Sequence, residues 1–152
     1  MINKTDKPSF YEIEHTADKG IRAEGSSLEE LFINLVYGMY YIIYDDTNKI
    51  KSKKVKDKKS LFLEEAALSD LLISWLSEIN FLHQVENLFI TDIDHIRISK
   101  EENHYILTAN LTGIDSLPYK IFIKTEIKAV TYHQLKITRI RNGYTGQVIF
   151  DV

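Results

Sequence analysis

Two short stretches, one near each end of the chain, contain the residues best suited to chemistry. The chain ends in the strand-like run 148–152, whose apolar residues would keep this end inside a sheet rather than frayed. The side chain of Asp151 and the terminal carboxylate of Val152 would then lie side by side. Two like charges that close repel each other unless a cation lies between them, and Asp18 is the candidate for a third carboxylate. The pattern indicates a small, oxygen-rich cation site.

The proposed ligands are hard oxygen donors, which suit Ca²⁺, Mg²⁺ or Mn²⁺, whereas Zn²⁺ usually takes His or Cys. The chain contains no cysteine. His15 lies three residues before Asp18 and is the candidate for a turn histidine that orients its neighbours. The competing interpretation is a solvated chain end that happens to contain an aspartate, and the residues alone leave both open.

The elements that would position these residues follow from periodicity. Strands at 10–14 and 21–25 flank the turn that contains Asp18. Ser27 and Glu30 form a capping box in front of an amphipathic helix, and a second helix follows at 68–82. The later strand candidates are 88–90, 93–98, 104–111, 121–132, 135–140 and 147–152, the last two joined by a type I′ turn at Asn142-Gly143. We therefore expect an α+β fold, a mostly antiparallel sheet in which the C-terminal strands form a meander beside the N-terminal strands, with both helices packed on it.

Composition limits the classes of function. With 152 residues, 44% of them hydrophobic and 27% charged, the chain predicts one soluble domain, 1–152, with a flexible segment at 1–9. We expect a cytoplasmic protein with no membrane association, because the chain has neither a signal peptide nor a membrane-spanning run. The net charge of −3 disfavours a dedicated nucleic-acid binder. No nucleotide-binding loop, nucleophile elbow or zinc-protease motif is present, so the sequence favours a protein that is not an enzyme.

A run of lysines interrupts the polar and apolar pattern in the middle of the chain. Seven lysines lie between Lys49 and Lys59, opposed only by Asp57. A lysine-protected edge strand or hairpin is the simpler interpretation. The alternative is a contact surface for RNA phosphates or for an acidic partner, with Lys51, Lys53 and Lys54 as contact candidates.

The chain resembles one known family, archease. The resemblance rests on five stretches in order, namely Tyr11–Asp18, Leu28–Phe32 followed by Gly38-Met39, Leu72–Glu78, Glu126–His133 and Val148–Val152. It implies an accessory protein that activates an RtcB-type RNA ligase in tRNA splicing and RNA repair, where the ligase joins 2′,3′-cyclic-phosphate and 5′-hydroxyl RNA ends. The family protein promotes guanylylation of the ligase by GTP and so allows multiple turnovers. Its metal site matches Asp18, Asp151 and Val152.

The sequence departs from the family pattern at several positions. Lys19 stands where the family usually has an apolar residue, so it could contact phosphate or weaken the affinity for a cation. The segment 117–120 lacks the basic pair that the family often has there. Asp46 lies where acidic residues are common and is a candidate for an outer-shell ligand.

Two other functions stay open at this stage. One is a stand-alone, metal-dependent phosphoesterase acting at the same carboxylates. The other is an RNA-binding or chaperone-like module that uses the Lys49–Lys59 run. For the preferred ligase activator, GTP is bound through the partner ligase and tRNA is contacted only indirectly.

Overall fold

The architecture was taken from a computed structural model, which describes residues 9–14 and 18–152. The chain divides into two compact units. The split unit contains residues 9–14, 18–47 and 123–152, and the inserted unit contains residues 48–122. The expectation of a single folding domain stays a prediction, as does the flexibility of 1–9, of which residues 1–8 lie outside the described part.

Seven strands and two long helices make up the described residues. In chain order they are β1 (Phe10–Glu14), β2 (Lys19–Gly25), α1 (Leu28–Tyr44), β3 (Val55–Glu65), α2 (Leu68–Gln84), β4 (Leu88–Glu101), β5 (His104–Asp115), β6 (Ala129–Ile140) and β7 (Gly143–Asp151). Two short 3₁₀ helices lie at Thr47–Lys49 and Leu117–Phe122. No helix among the described residues is long and apolar enough to cross a membrane. The predicted α+β class is confirmed.

The two units have the same connectivity. In the split unit the strands lie in the order β1-β2-β7-β6, and in the inserted unit in the order β3-β5-β4. Each unit therefore contains a strand, a helix and a hairpin, and the last strand of the hairpin pairs with the first strand. All the pairings are antiparallel. The split unit adds β1 as an outer strand.

The capping box predicted at the start of α1 is present. The hydroxyl of Ser27 accepts a hydrogen bond from the backbone N–H of Glu30 at 3.1 Å. The carboxylate of Glu30 accepts in turn from the N–H of Ser26 at 2.9 Å. A cap of this kind stabilises a helix by about 1 kcal/mol. Behind it, the apolar stripe of α1 is fully buried and packs on the sheet of the split unit, with Gly38 allowing close approach to Ile21.

The predicted single meander is wrong, because its strands belong to two sheets. The strand expected at 121–132 is also wrong: Leu117–Phe122 is a 3₁₀ helix, and β6 begins only at Ala129. The segment between them is irregular because the N–H groups of Lys124 and Thr125 both donate to the carbonyl of Ile43, at 2.7 and 3.2 Å. This segment therefore satisfies a carbonyl at the end of α1 instead of pairing in a sheet.

The β6–β7 hairpin is confirmed, but its turn differs from the prediction. Ile140 pairs with Gly143, so the two loop residues are Arg141 and Asn142. A type I′ turn would need positive φ at both loop residues, whereas positive φ falls on Gly143, at 145°. A Cβ added to Gly143 would also collide with the carbonyl oxygen of Gly25. Gly143 thus lets β7 begin close to the end of β2.

The structure also explains a buried histidine on α2. His83 is only 5% exposed. Burial, reinforced by the nearby ammonium of Lys120, lowers the pKa of His83 from 6.5 to about 4. The imidazole is therefore neutral in the folded protein at pH values where an unfolded chain would already bind a proton.

We predict that Gly143→Ala destabilises the protein by about 2–4 kcal/mol, because the substitution adds backbone strain and an overlap with Gly25. Urea unfolding monitored by circular dichroism measures the change. Asn142→Ala, in the exposed loop, is the control and should change the stability by no more than about 0.5 kcal/mol. Equal stabilities for the two variants would contradict this account of the turn.

We predict that the free energy of unfolding falls as the pH is lowered from 6.5 to 4, because only the unfolded chain protonates His83 in that window. The loss reaches at most about 3 kcal/mol at the acid end. In His83→Gln the free energy of unfolding should change less steeply with pH, and the difference in slope should correspond to the binding of about one proton. Urea unfolding across this pH range tests the prediction, and identical slopes for both proteins would refute it.

Candidate functional site

The candidate site lies where β2 begins and β7 ends. Lys19 pairs with Phe150, and each following pair keeps the same antiparallel register. The pairing ends at Lys19–Phe150, and Asp18 precedes β2 as a bend. If the register continued by one residue, Asp18 would lie opposite Asp151, and directly opposed residues of antiparallel strands have Cα atoms about 4.5–5.5 Å apart. The proximity of these two carboxylates, which are far apart in the sequence, therefore stays a prediction.

Strand alternation would place both carboxylates on the same face of the sheet if it extended to Asp18, which directly precedes β2. Gly20 pairs with Ile149, and alternation continued from these residues would put Asp18 and Asp151 on their face. Asp18 is half-buried and Asp151 is exposed. Opposed carboxylates on one face repel each other, and this repulsion is relieved when a cation binds between them.

The end of the chain is held in place by its neighbouring strand. Asp151 pairs with Ala129 at the start of β6, and its carbonyl accepts a hydrogen bond from the N–H of Lys128 at 2.8 Å. Val148, Ile149 and Phe150 are all 0% exposed, as the apolar ending predicted. Val152, which follows directly, is half-buried.

The predicted set of ligands suits a hard divalent cation. Its donors would all be oxygens, from two aspartates and the carboxylate of Val152, and of these residues Asp151 is held by its pairing with Ala129. Among the residues described, no three His, Cys, Asp or Glu side chains are grouped so as to hold a metal. The predicted set contains two such side chains, and residues 15–17 beside Asp18 lie outside the described part. The metal site stays a prediction.

The other predicted residues are distributed over both units. His15 lies outside the described residues. Asp46 is exposed just beyond α1, where its N–H donates to the carbonyl of Tyr44 at 2.6 Å. Lys19 begins β2, and its ammonium lies 3.9 Å from the carboxylate of Glu12. The lysines at 51, 53 and 54 are exposed in the inserted unit, before β3. The edge-strand interpretation is confirmed for Lys56, Lys58 and Lys59, which lie on β3 at the edge of its sheet, whereas the four earlier lysines of the run precede this strand.

A polar cavity in the split unit was missed by the sequence analysis. It has a volume of about 360 Å³ and is lined by Glu12, Lys19, Tyr41, Ile42, Asp45, Lys124 and Thr125. Two ammonium groups and two carboxylates give it no net charge. Asp45, not the predicted Asp46, faces the cavity. Lys124 could not be found from the sequence, because the alternation at 121–132 assigned it to a strand.

Comparison with known proteins identifies the family. The model of the archease protein family (MTH1598/TM1083) matches residues 10–152. Protein archease of Methanosarcina barkeri is 36% identical over 92% of this chain and 93% of its own length. Protein archease of Thermococcus kodakarensis is 38% identical over 91% of this chain and 95% of its own length.

A solved structure agrees with the fold. The solution structure of protein 1598 of Methanobacterium thermoautotrophicum overlaps this chain with a TM-score of 0.77 and 25% identity, covering 96% of this chain and 100% of that one. The fold and the comparisons define an α+β protein with two units of the same topology. The chain belongs to the archease family.

We predict that the wild-type protein binds a divalent cation and that Asp18→Asn or Asp151→Asn weakens the binding by about tenfold or more, because each removes one ligand charge. Calorimetric titration with Ca²⁺, Mg²⁺ and Mn²⁺ separately measures the affinities. Glu101→Gln, which neutralises an exposed acid at the far end of β4, is the matched control. Adding one glycine after Val152 should also weaken the binding, since it displaces the terminal carboxylate. Unchanged affinities in all three variants would refute the site.

Proposed function

We propose that the protein is a non-catalytic accessory factor that activates an RtcB-type RNA ligase in tRNA splicing and RNA repair. It would act in the cytoplasm, promote guanylylation of the ligase by GTP and so allow repeated turnover. Membership of the archease family supports the proposal. The observation that supports it most is the β2–β7 register, because its continuation by one residue would set Asp18 opposite Asp151.

The residues that would hold a divalent cation are Asp18, Asp151 and the terminal carboxylate of Val152. When bound, such a cation supplies positive charge that orients and neutralises phosphate groups. The strands contribute rigidity, because β7 is an inner strand of its sheet, is buried at residues 146–150 and holds Asp151 in register with Ala129 of β6. A preorganised set of ligands loses little entropy when it meets the nucleotide in a partner's pocket.

In this proposal the exposed lysines make additional contacts with phosphate groups and with the ligase. Lys19 follows Asp18 directly, and its side chain is 42% exposed although its ammonium lies near Glu12. It is therefore placed to contact a phosphate that approaches the carboxylates. The lysines at 51, 53 and 54 are exposed and can contact the ligase, whereas tRNA would be reached only through the ligase. Asp46 would act from the outer shell.

The test is GTP-dependent guanylylation of a purified RtcB-type ligase under turnover conditions, with and without substoichiometric amounts of this protein. We expect faster guanylylation with the wild type and with Glu101→Gln. Asp18→Asn and Asp151→Asn should lose most of the stimulation while keeping wild-type unfolding curves.

The same assay separates the competing functions. Normal stimulation by both aspartate variants would refute the role of the carboxylates. Hydrolysis of phosphoester substrates by the protein alone with Mn²⁺ would show an enzyme and would contradict the accessory role. Absence of stimulation by the wild type, with a ligase from the same organism, would refute the proposed function as a whole.

A further inference from the structure

The 3₁₀ helix Leu117–Phe122 of the inserted unit exposes an unusual amount of apolar surface. Ile121 is 83% exposed and Leu117 is 48% exposed. Ile121 has the largest exposed fraction of any large apolar residue in the described part of the chain. We call these two residues the apolar ridge. An exposed apolar cluster surrounded by polar residues typically marks an interaction surface.

Lysines lie beside the 3₁₀ helix that carries the apolar ridge, and two contacts connect their segment to it. The hydroxyl of Tyr119, within the 3₁₀ helix, accepts a hydrogen bond from the N–H of Ser52 at 2.9 Å. This bond places the lysine-rich segment 51–54 beside the helix. The ammonium of Lys49 lies 5.1 Å from the centre of the Phe122 ring. These lysines, together with one in the helix itself, form the basic rim, which consists of Lys49, Lys51, Lys53, Lys54 and Lys120.

The basic rim differs from the rest of the lysine run. Lys56 donates to the carbonyl of Glu86 at 2.9 Å and lies 3.7 Å from the carboxylate of Asp115. Lys59 lies 2.8 Å from the carboxylate of Glu86, and this bond raises the pKa of the lysine. These two ammonium groups are thus neutralised within the unit. The lysines at 51, 53 and 54 extend from the exposed segment before the strand begins.

The apolar ridge is held in a defined conformation. The carboxylate of Asp115 accepts from the N–H of Leu117 at 3.1 Å, and the carbonyl of Asn87 accepts from the N–H of Ser116 at 2.9 Å. Pro118 restricts the backbone of the first turn. A surface ordered before binding loses less entropy on association, so a small ridge can still contribute to affinity.

An acidic protein surface fits these features better than RNA or a membrane does. The two exposed residues of the ridge are aliphatic and provide no aromatic plane on which bases could stack. The rings of Tyr119 and Phe122 in the same helix are half-buried, and the ammonium of Lys49 lies over Phe122. The net charge of the chain is −3. Two aliphatic residues on a six-residue helix bury far less apolar area than a membrane-surface helix does. An apolar centre with several lysines beside it is instead suited to a protein partner with an apolar groove and an acidic border.

We propose that the apolar ridge and the basic rim form a docking surface for an acidic, apolar-centred surface of a partner protein. This proposal rests on the proposed function, in which that partner is the RNA ligase. The docking surface would increase the affinity for the ligase and the rate of association with it, whereas the carboxylates of the split unit would act on guanylylation. The two roles therefore have separate readouts.

The test measures the Kd of the purified ligase for this protein by calorimetry at low and high salt. We expect Leu117→Ser combined with Ile121→Ser to weaken binding by about tenfold or more, because apolar contacts at an interface centre dominate the affinity. Lys51→Ser, Lys53→Ser and Lys54→Ser combined should weaken binding at low salt and reduce its salt dependence. Neither set should change the unfolding midpoint, because all these residues are exposed.

Matched controls come from the same chain. Phe62→Ser removes an apolar side chain on β3 that is 61% exposed. Lys100→Ser, Lys136→Ser and Arg139→Ser combined remove three exposed positive charges elsewhere. Both controls should bind the ligase with the wild-type Kd. Guanylylation at saturating concentrations of this protein should stay normal in the ridge variant and fail in Asp151→Asn.

Three outcomes would overturn the proposal. Wild-type Kd values for both the ridge and the lysine variants would refute the docking surface while leaving the ligase function intact. If the ridge and lysine variants lose binding to a single-stranded RNA oligonucleotide or to phosphatidylserine vesicles while their Kd for the ligase is unchanged, the surface is assigned to RNA or to a membrane. Failure of the wild type both to bind and to stimulate the ligase would refute the proposed function and this proposal with it.

Discussion

The pairing of β2 with β7 is the constraint on which the candidate site depends. It joins the first part of the chain to the last, across more than a hundred intervening residues, in a continuous register from Lys19–Phe150 to Gly25–Tyr144. The apolar residues near the end of β7 are buried on both faces of the sheet, so a shift of the register by one residue would exchange apolar side chains between the faces. Continued by one residue, the same register would set Asp18 against Asp151. The predicted site would then need no further element to position these two residues.

Sequence reasoning succeeded where one local pattern determined the outcome. The capping box at Ser27 predicted the start of α1, and the apolar ending predicted a buried last strand. Sequence reasoning failed at 121–132, where alternating isoleucines imitate a strand although Ile121 is exposed and Ile127 is 0% exposed. That segment is set by a carbonyl of α1 that is distant in sequence, so no local pattern could reveal it.

The duplication of the topology was also invisible in the sequence. Periodicity identified most of the strands, but it could not assign β4 and β5 to one sheet and β6 and β7 to another. Pairing partners depend on long-range packing, and a meander is the simpler assumption for successive strands with short turns. The structure instead repeats one strand-helix-hairpin arrangement, which makes corresponding positions of the two units comparable.

That comparison shows how the charges differ at the ends of the two last strands. The last strand of each unit ends in an aspartate, Asp115 in the inserted unit and Asp151 in the split unit. The register continued from Val55–Ile114 would set Lys54 opposite Asp115, and the ammonium of Lys56 lies 3.7 Å from the carboxylate of Asp115. The register continued from Lys19–Phe150 would set Asp18, a second acidic residue, opposite Asp151. The inserted unit thus carries a lysine at the position where the split unit carries an aspartate. This difference in charge is why the cation predicted from the sequence belongs to the split unit and not to the inserted one.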